Sequence, residues 1–224
     1  PELVNSAGNI VHFLGFGYCD GYRAPVAQFP KRGVAEIGYG SGACLLIRKQ
    51  ALVDVGLFDS LYFLYHEDFD LQIRMRQAGW SIGIAYASRV LHKYRPNMSA
   101  AKFRWLERNR LLALAKLWPL DRLLWFTPAL AGLEIVMLVF AAKEHWLPQK
   151  LSIYVELARH TRDIWSRRRE TQRRRLGENG QDEGRHFRAE MVTEALSESL
   201  LLRIGNPLLR AYLHTVQSVL DRRR

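Results

Sequence analysis

Three carboxylates lie close together within the first third of the chain: Glu67, Asp68 and Asp70. The spacing of the apolar residues after them predicts a helix that begins at Glu67 and ends near Gly79. The positive end of a helix dipole stabilises carboxylates in the first turn, which is the simplest interpretation of the cluster. An aromatic run at 62–65 leads directly into the acids and indicates that they lie near a half-buried surface.

Asp68 and Asp70 form an Asp-x-Asp triplet, which has the form of a metal-binding motif. Residues two apart on a helix do not share a face, so the two side chains are expected to point in different directions. We therefore interpret Asp70 as a structural or supporting residue.

The secondary-structure elements predicted on either side of the acids are short, and glycine residues separate them. The sequence predicts a short buried strand at 43–47, a helix at 49–55 that Gly56 ends, and extended structure at 81–92. A longer helix is expected after Ser99, which is a suitable N-cap, and it should end near residue 118.

An apolar stretch at 123–142 carries a single charge, Glu134, and is long enough to span a bilayer. However, Pro128 and Gly132 interrupt it, and an ionised glutamate at mid-membrane is costly. The pattern favours an interfacial helix or a re-entrant pair over a span, and a buried helix of a soluble protein is the alternative. A basic helix at 150–175 is expected to follow.

Charge and composition narrow the classes of protein. The chain is 48% hydrophobic, which excludes a disordered or collagen-like protein, and 33 basic against 22 acidic residues give a net charge of +11. Arginine clusters near the C-terminal end suit phosphates of nucleotides, lipids or nucleic acids, although they also suit a solvated helix face. Two cysteines without metal-type spacing indicate a reducing compartment.

The segment from about residue 5 to 120 resembles the second half of the catalytic domain of glycosyltransferase family 2. The motifs that carry the resemblance occur in order at consistent spacing: SGA at 41–43, VGLFD at 55–59, YHEDFDL at 65–71, VLHK at 90–93 and ERNR at 107–110. Members of this family are inverting enzymes with a GT-A fold. The resemblance implies an α/β fold: the second half of a GT-A domain followed by a mostly α-helical C-terminal extension.

The resemblance also implies an organisation of the chain. Residues 1–118 correspond to the acceptor-side half of the GT-A domain, and residues 119–176 form an apolar and then basic membrane-associating segment. A polar linker at 177–184 and C-terminal helices at 185–224 complete the chain. The donor half and its Asp-x-Asp motif have no counterpart before Glu67, so the chain is interpreted as a fragment of a longer enzyme.

Roles for individual residues follow from the same resemblance. Asp68 occupies the position of the general base, and Glu67 is expected to hold the acceptor or orient the pair. His92 matches a histidine that in some members ligates a divalent metal, Mn²⁺ or Mg²⁺, and the other ligands are expected outside this chain. The substrate-binding candidates are Ser41, Gly42, Arg108 and Asn109.

The predicted function is transfer of a sugar, with inversion, from a nucleotide-diphospho-sugar donor to a hydroxyl of a glycan or lipid-linked acceptor. Cell-surface polysaccharide synthesis at the cytoplasmic side, peripheral to the inner face of the membrane, is the expected setting. The alternative is a basic nucleic-acid-binding or membrane-anchoring module without catalysis. Because aromatic residues are not interleaved with the arginine clusters and no nucleic-acid motif is found, no nucleic-acid partner is predicted.

Overall fold

The computed structural model describes residues 2–93, 98–175, 187–190 and 200–222, so the predicted linker at 177–184 lies outside the described residues. Helices dominate the described part of the chain. They are α1 Lys49–Val55, α2 Glu67–Gln77, α3 Ala100–Leu117, α4 Leu120–Lys143, α5 Leu147–Arg159, α6 Thr161–Arg174 and α7 Leu200–Asp221. The strands are β1 Asn9–His12, β2 Gly17–Cys19, β3 Val34–Glu36, β4 Gly83–Ala85 and β5 Phe187–Arg188.

The strands form two small sheets. In the first, β1 pairs antiparallel with β2 and parallel with β5, with Val11 opposite Phe187. In the second, β3 and β4 are antiparallel, with Ala35 opposite Ile84. The β1–β5 pairing brings the C-terminal part of the chain back onto its first strand.

Two of the predicted extended segments differ from the structure. The predicted buried strand at 43–47 is wrong: this segment is irregular, and Leu46 within it is fully exposed. A strand needs a neighbour for its backbone hydrogen bonds, and no described strand pairs with these residues. Of the extended stretch predicted at 81–92, the three residues of β4 are strand.

The helix predictions around the acids are confirmed. α2 begins at Glu67, and its apolar stripe of Leu71 and Met75 packs against Ala51 and Val55 of α1. The N-cap of α3 is Ser99, whose Oγ accepts a hydrogen bond from the Lys102 backbone N–H at 3.2 Å.

Trp118, directly after α3, packs against several elements of the main hydrophobic core. Its ring stacks on Phe69 of α2 and on Phe187 of β5, with ring centres 6.1 and 5.1 Å away. Its Nε1–H donates to the Phe13 carbonyl at 2.8 Å, so this fully buried indole keeps its polar group satisfied. One side chain thus fixes α2, β5 and the residue after β1 relative to one another.

The apolar stretch forms one continuous helix, and the expected interruption is wrong. α4 runs through Pro128 and Gly132 without a break, which excludes the re-entrant pair. Among the described residues it is the one helix that is long and apolar enough to cross a membrane, by length and composition only. The single basic helix expected at 150–175 is instead two helices, α5 and α6, separated at His160.

The first prediction concerns the buried His12, where β1 meets the C-terminal part of the chain. Its Nδ1 accepts from the Leu14 N–H at 3.1 Å, and its Nε2–H donates to the Ala189 carbonyl at 3.0 Å, which requires a neutral ring. Burial, with a smaller effect from Arg110, lowers the pKa of His12 from 6.5 to about 4. The unfolded chain therefore binds a proton in this pH range that the folded chain excludes.

The free energy of unfolding should fall as the pH is lowered from 6.5 to about 4, by about 2–3 kcal/mol from this group. Urea unfolding at several pH values measures the slope. The His12→Gln variant lacks the titrating ring and should show a correspondingly flatter profile. Equal slopes in the two proteins would contradict the prediction.

Candidate active site

The turn before the acids is strained. Tyr65 and His66 both adopt left-handed backbone conformations, with φ of 68° and 64°. Each such non-glycine residue costs roughly 1–2 kcal/mol, and the conformation persists only where the surroundings hold it. The strained pair immediately precedes Glu67 and Asp68, so it sets the direction in which α2 presents its carboxylates.

Asn109 on α3 is the main restraint on this turn. It is fully buried, and its Nδ2 donates to the carbonyls of Leu64 and Tyr65, both at 2.8 Å. The His66 ring donates from Nε2 to the Gly15 carbonyl at 3.2 Å. Because burial lowers the pKa of His66, the ring stays neutral and keeps this geometry at neutral pH.

Arg108, the residue before Asn109, also contacts the segment that leads into the turn. Its NH1 donates to the Leu61 carbonyl and to Asn109 Oδ1, and its Nε donates to Glu156 at 2.9 Å. Arg108 and Asn109 were expected to bind substrate. In the structure both are buried and hydrogen-bond the backbone carbonyls at 61–65, so they help to position the acids, and substrate binding by either stays a prediction.

The structure brings Asp68 and the predicted Ser41–Gly42 segment together. Asp68 Oδ2 accepts from the Gly42 backbone N–H at 2.8 Å, and Oδ1 accepts from the Phe69 N–H at 2.8 Å. Ser41 Oγ accepts from the Ala43 N–H at 3.3 Å and shapes the same loop. Two N–H donors therefore fix the orientation of a carboxylate that remains partly exposed.

Glu67 differs from its neighbour. Its Oε2 is buried, and no hydrogen-bond donor among the described residues reaches it. Burial is the main cause that raises the pKa of Glu67, and the negative charge of Asp68 raises it further. The pair is thus asymmetric: Asp68 is held by two backbone N–H groups, whereas Glu67 has one buried oxygen that no described donor satisfies.

Residues that the sequence did not indicate complete the surroundings of the acids. Tyr39 is buried edge-on against Phe69, with ring centres 5.2 Å apart. Burial raises the pKa of Tyr39, and the charge of Asp68 adds to the effect, so this hydroxyl stays protonated. Lys102 lies over the Tyr65 ring, 5.9 Å from its centre, and brings a positive charge to the side of the turn. Neither residue belongs to a motif that could have identified it.

Asp70 points away from the acids, as its helical position predicts. It is fully buried, and it accepts from Lys116 Nζ at 2.7 Å and from Arg74 Nε at 2.9 Å. Lys116 also donates to Asp59, and Arg74 also donates to the Val55 carbonyl. Asp70 is therefore a structural residue that ties α2 to α3 and to the 55–59 loop.

A cavity of about 210 Å³ lies beside this ion cluster, between the 55–59 loop and α6. Its lining includes Asp59, Lys116 and Arg167, but neither Glu67 nor Asp68. Lys116 and Arg167 are both paired with Asp59 there. The carboxylates, rather than this cavity, remain the candidate site.

His92 lies on the exposed segment that follows β4. No three His, Cys, Asp or Glu side chains of the described residues come together in a way that could hold a metal ion. The described residues therefore do not form a metal site on their own, and His92 as a ligand stays a prediction.

Comparison with known proteins finds a similarity that is confined to a short segment of the chain. A 56-residue segment, 25% of the chain, is 46% identical to N-acetylglucosaminyl-diphospho-decaprenol L-rhamnosyltransferase from two strains of Mycobacterium tuberculosis, CDC 1551 and H37Rv. The match spans 18% of the length of those relatives. No family model and no solved structure matches the chain. A quarter of this chain is thus similar to part of a glycosyltransferase.

The second prediction tests Asn109 as the restraint on the strained turn. Asn109→Ala removes the donor from two partly buried carbonyls and leaves a space where the buried side chain was, so the free energy of unfolding should fall by about 1–2 kcal/mol. Adding Tyr65→Gly should recover about 1 kcal/mol, because glycine adopts a positive φ without strain. Urea unfolding and amide hydrogen exchange over residues 65–70 measure the two effects.

The matched control is Gln50→Ala, which removes a side chain that bonds Asp54 on an exposed helix face and should change stability little. Unchanged exchange at 65–70 in Asn109→Ala would contradict the assignment. So would a further loss of stability on adding Tyr65→Gly.

Proposed function

We propose that this chain is part of a glycosyltransferase that transfers a sugar, with inversion, from a nucleotide-diphospho-sugar to an acceptor hydroxyl. The observation that carries the proposal is the Glu67–Asp68 pair, presented on a strained and restrained turn. The similarity of a 56-residue segment to a rhamnosyltransferase supports it. A nucleic-acid-binding module would account for the arginine clusters but not for two carboxylates held in this way.

Asp68 is the proposed general base. It accepts the proton of the acceptor hydroxyl while that oxygen forms its bond to the anomeric carbon of the donor. The bond from that carbon to the diphosphate oxygen breaks on the opposite face, which inverts the configuration and releases the nucleoside diphosphate. Hydrogen bonds from Gly42 and Phe69 preset the orientation of the carboxylate, which lowers the cost of reaching the reactive geometry.

Glu67 is the proposed contact for the acceptor. A second hydroxyl of a sugar acceptor can donate to the buried Oε2 that no described donor reaches. We favour a lipid-linked acceptor over a free glycan, because the relatives are named for an N-acetylglucosaminyl-diphospho-decaprenol substrate. Such an acceptor suits cell-surface polysaccharide synthesis at the cytoplasmic face of the membrane, where the protein would be peripheral.

The fold and cofactor follow as further parts of the proposal. Residues 1–118 would be the acceptor-side half of a GT-A domain, followed by the helical extension. The divalent metal, Mn²⁺ or Mg²⁺, would take His92 as one ligand and its others from residues outside this chain. Its role would be to neutralise charge on the diphosphate of the donor.

Product analysis tests the proposed function directly. Full-length protein is incubated with uridine, guanosine and thymidine diphosphate sugars and with a polyprenyl-diphosphate-linked N-acetylglucosamine acceptor. Mass spectrometry should detect an acceptor that is heavier by one sugar residue. Absence of product with every donor, under conditions where the protein is folded, would contradict the proposal.

The third prediction separates Asp68 from Asp70. Asp68→Asn keeps the size of the side chain and removes the proton acceptor, so turnover at saturating donor should fall by roughly 10²–10⁴-fold. The amide oxygen can accept from only one of the two N–H groups of Gly42 and Phe69, so the free energy of unfolding should fall by about 1 kcal/mol.

Asp70→Asn leaves the buried Arg74 without its charged partner and Lys116 with Asp59 as its one remaining carboxylate, so the free energy of unfolding should fall by about 3 kcal/mol. Steady-state kinetics and urea unfolding on both variants measure the contrast. Asp68→Asn with most of its activity would show that another group is the base.

A further inference from the structure

The two faces of α4 differ sharply. One face is buried against the protein through Phe126, Leu133 and Ala141. The opposite face exposes large apolar side chains, with 44–75% of their surface accessible: Leu120, Leu124, Ile135, Val136 and Val139. Single exposed apolar residues are common, but a continuous row on one helix face marks a surface that binds something.

The exposed face carries no charge over most of its length. We call it the outer stripe: Leu124, Thr127, Pro128, Ala131, Gly132, Ile135, Val136, Val139 and Ala142, all exposed. Spacings of three and four place these residues on one side of the helix. From residue 124 to 142 the stripe is about 27 Å long at the usual helical rise.

Glu134, the one charge within residues 123–142, is turned toward the protein. Its carboxylate pairs with Arg110 of α3 at 3.1 Å and with Lys150 of α5, and it accepts from the Tyr154 hydroxyl. Lys150 is fully buried and also pairs with Glu107. Moving α4 away from the protein would leave the two buried cations, Arg110 and Lys150, with Glu107 as their one shared carboxylate, so the middle of α4 is held against α3 and α5.

We propose that the outer stripe docks on an anionic lipid surface with the axis of α4 parallel to the bilayer, rather than crossing it. The proposal rests on the proposed function only in that a lipid-linked acceptor brings the enzyme to a membrane. An uncharged apolar face about 27 Å long, restrained along its opposite side, suits insertion into the interfacial region.

Charge favours a lipid surface over a second copy of the chain. The net charge of +11 attracts anionic lipid and makes two copies repel each other. The exposed charges next to the stripe lie at its two ends, Asp121 at one and Lys143 and Glu144 at the other, so the attraction to anionic lipid comes from the net charge of the chain and not from these residues. A stable protein–protein interface also uses about 20–30 residues on each side, more than one helix face provides.

Binding is tested with the whole chain and large unilamellar vesicles of phosphatidylcholine and phosphatidylglycerol at about 3:1. The protein should cosediment with these vesicles, and less so when NaCl is raised from about 50 to about 500 mM. Ile135→Gln with Val139→Gln should lower the partition coefficient roughly tenfold or more. The matched control is Val34→Gln with Val53→Gln, which changes two valines that are 78% and 65% exposed elsewhere, and it should bind as the parent does.

Orientation is tested with nitroxide labels on a Cys19→Ser, Cys44→Ser background, placed through Leu124→Cys, Ala131→Cys or Val139→Cys. A helix that lies flat gives three similar, shallow depths in the bilayer. A greatest depth at residue 131 would mean that α4 spans, which would overturn the proposal.

Three other results would also overturn it: no vesicle binding, equal losses in the stripe and control variants, and a dimer in solution that the stripe variant converts to a monomer. The vesicles contain neither donor nor acceptor sugar. A failure here therefore leaves the proposed transferase function standing, and a failure of the product analysis leaves the docking surface standing.

Discussion

The buried ion cluster around Lys116 is the interaction on which the rest of the structure depends. Its ammonium group lies between the carboxylates of Asp59 and Asp70, and the three side chains are nearly inaccessible to solvent. Removing one partner of such a cluster leaves a buried charge uncompensated, which costs far more than the intact cluster contributes. Through Arg74 the cluster also reaches the 55–57 backbone, so α2 has one position relative to α3 and to this loop.

α3 organises the molecule because it carries three polar restraints along its length. Lys116 pairs with Asp70 of α2, and Asn109 hydrogen-bonds the strained turn. Glu107 and Arg110 form ion pairs with each other and with the charged residues of α5 and α4. Burial alone would raise the pKa of Glu107, but Arg110 and Lys150 outweigh it and lower the pKa to about 2. Glu107 therefore stays charged at physiological pH and keeps its ion pairs with Arg110 and with Lys150 of α5.

What the sequence predicted well was local. The start of α2 and the Ser99 cap depend on residues within one or two helical turns. A strand at 43–47 would instead need a second strand to pair with, and the apolar pattern of the segment does not show whether one is present. In the sequence, Glu134 is a single charge within an apolar stretch, where burying it would be costly. Its ion pair with Lys150 forms between α4 and α5, so it can be identified only from the packing of these two helices. Likewise, the hydrogen bonds of Asn109 to the turn span more than forty residues, so no local pattern shows that it restrains the acids.

These restraints together connect the acids to the outer stripe through one helix. Asn109 fixes the turn before Asp68, and Glu107 and Arg110, within two residues of it on α3, belong to the charge cluster that holds Glu134. The carboxylates therefore cannot shift far relative to α4 without breaking buried polar contacts. Under the two proposals made above, this rigidity would have a use: with the stripe on the lipid surface, Asp68 would stand at a fixed height above the bilayer. The membrane would then help to set the position of the acceptor hydroxyl.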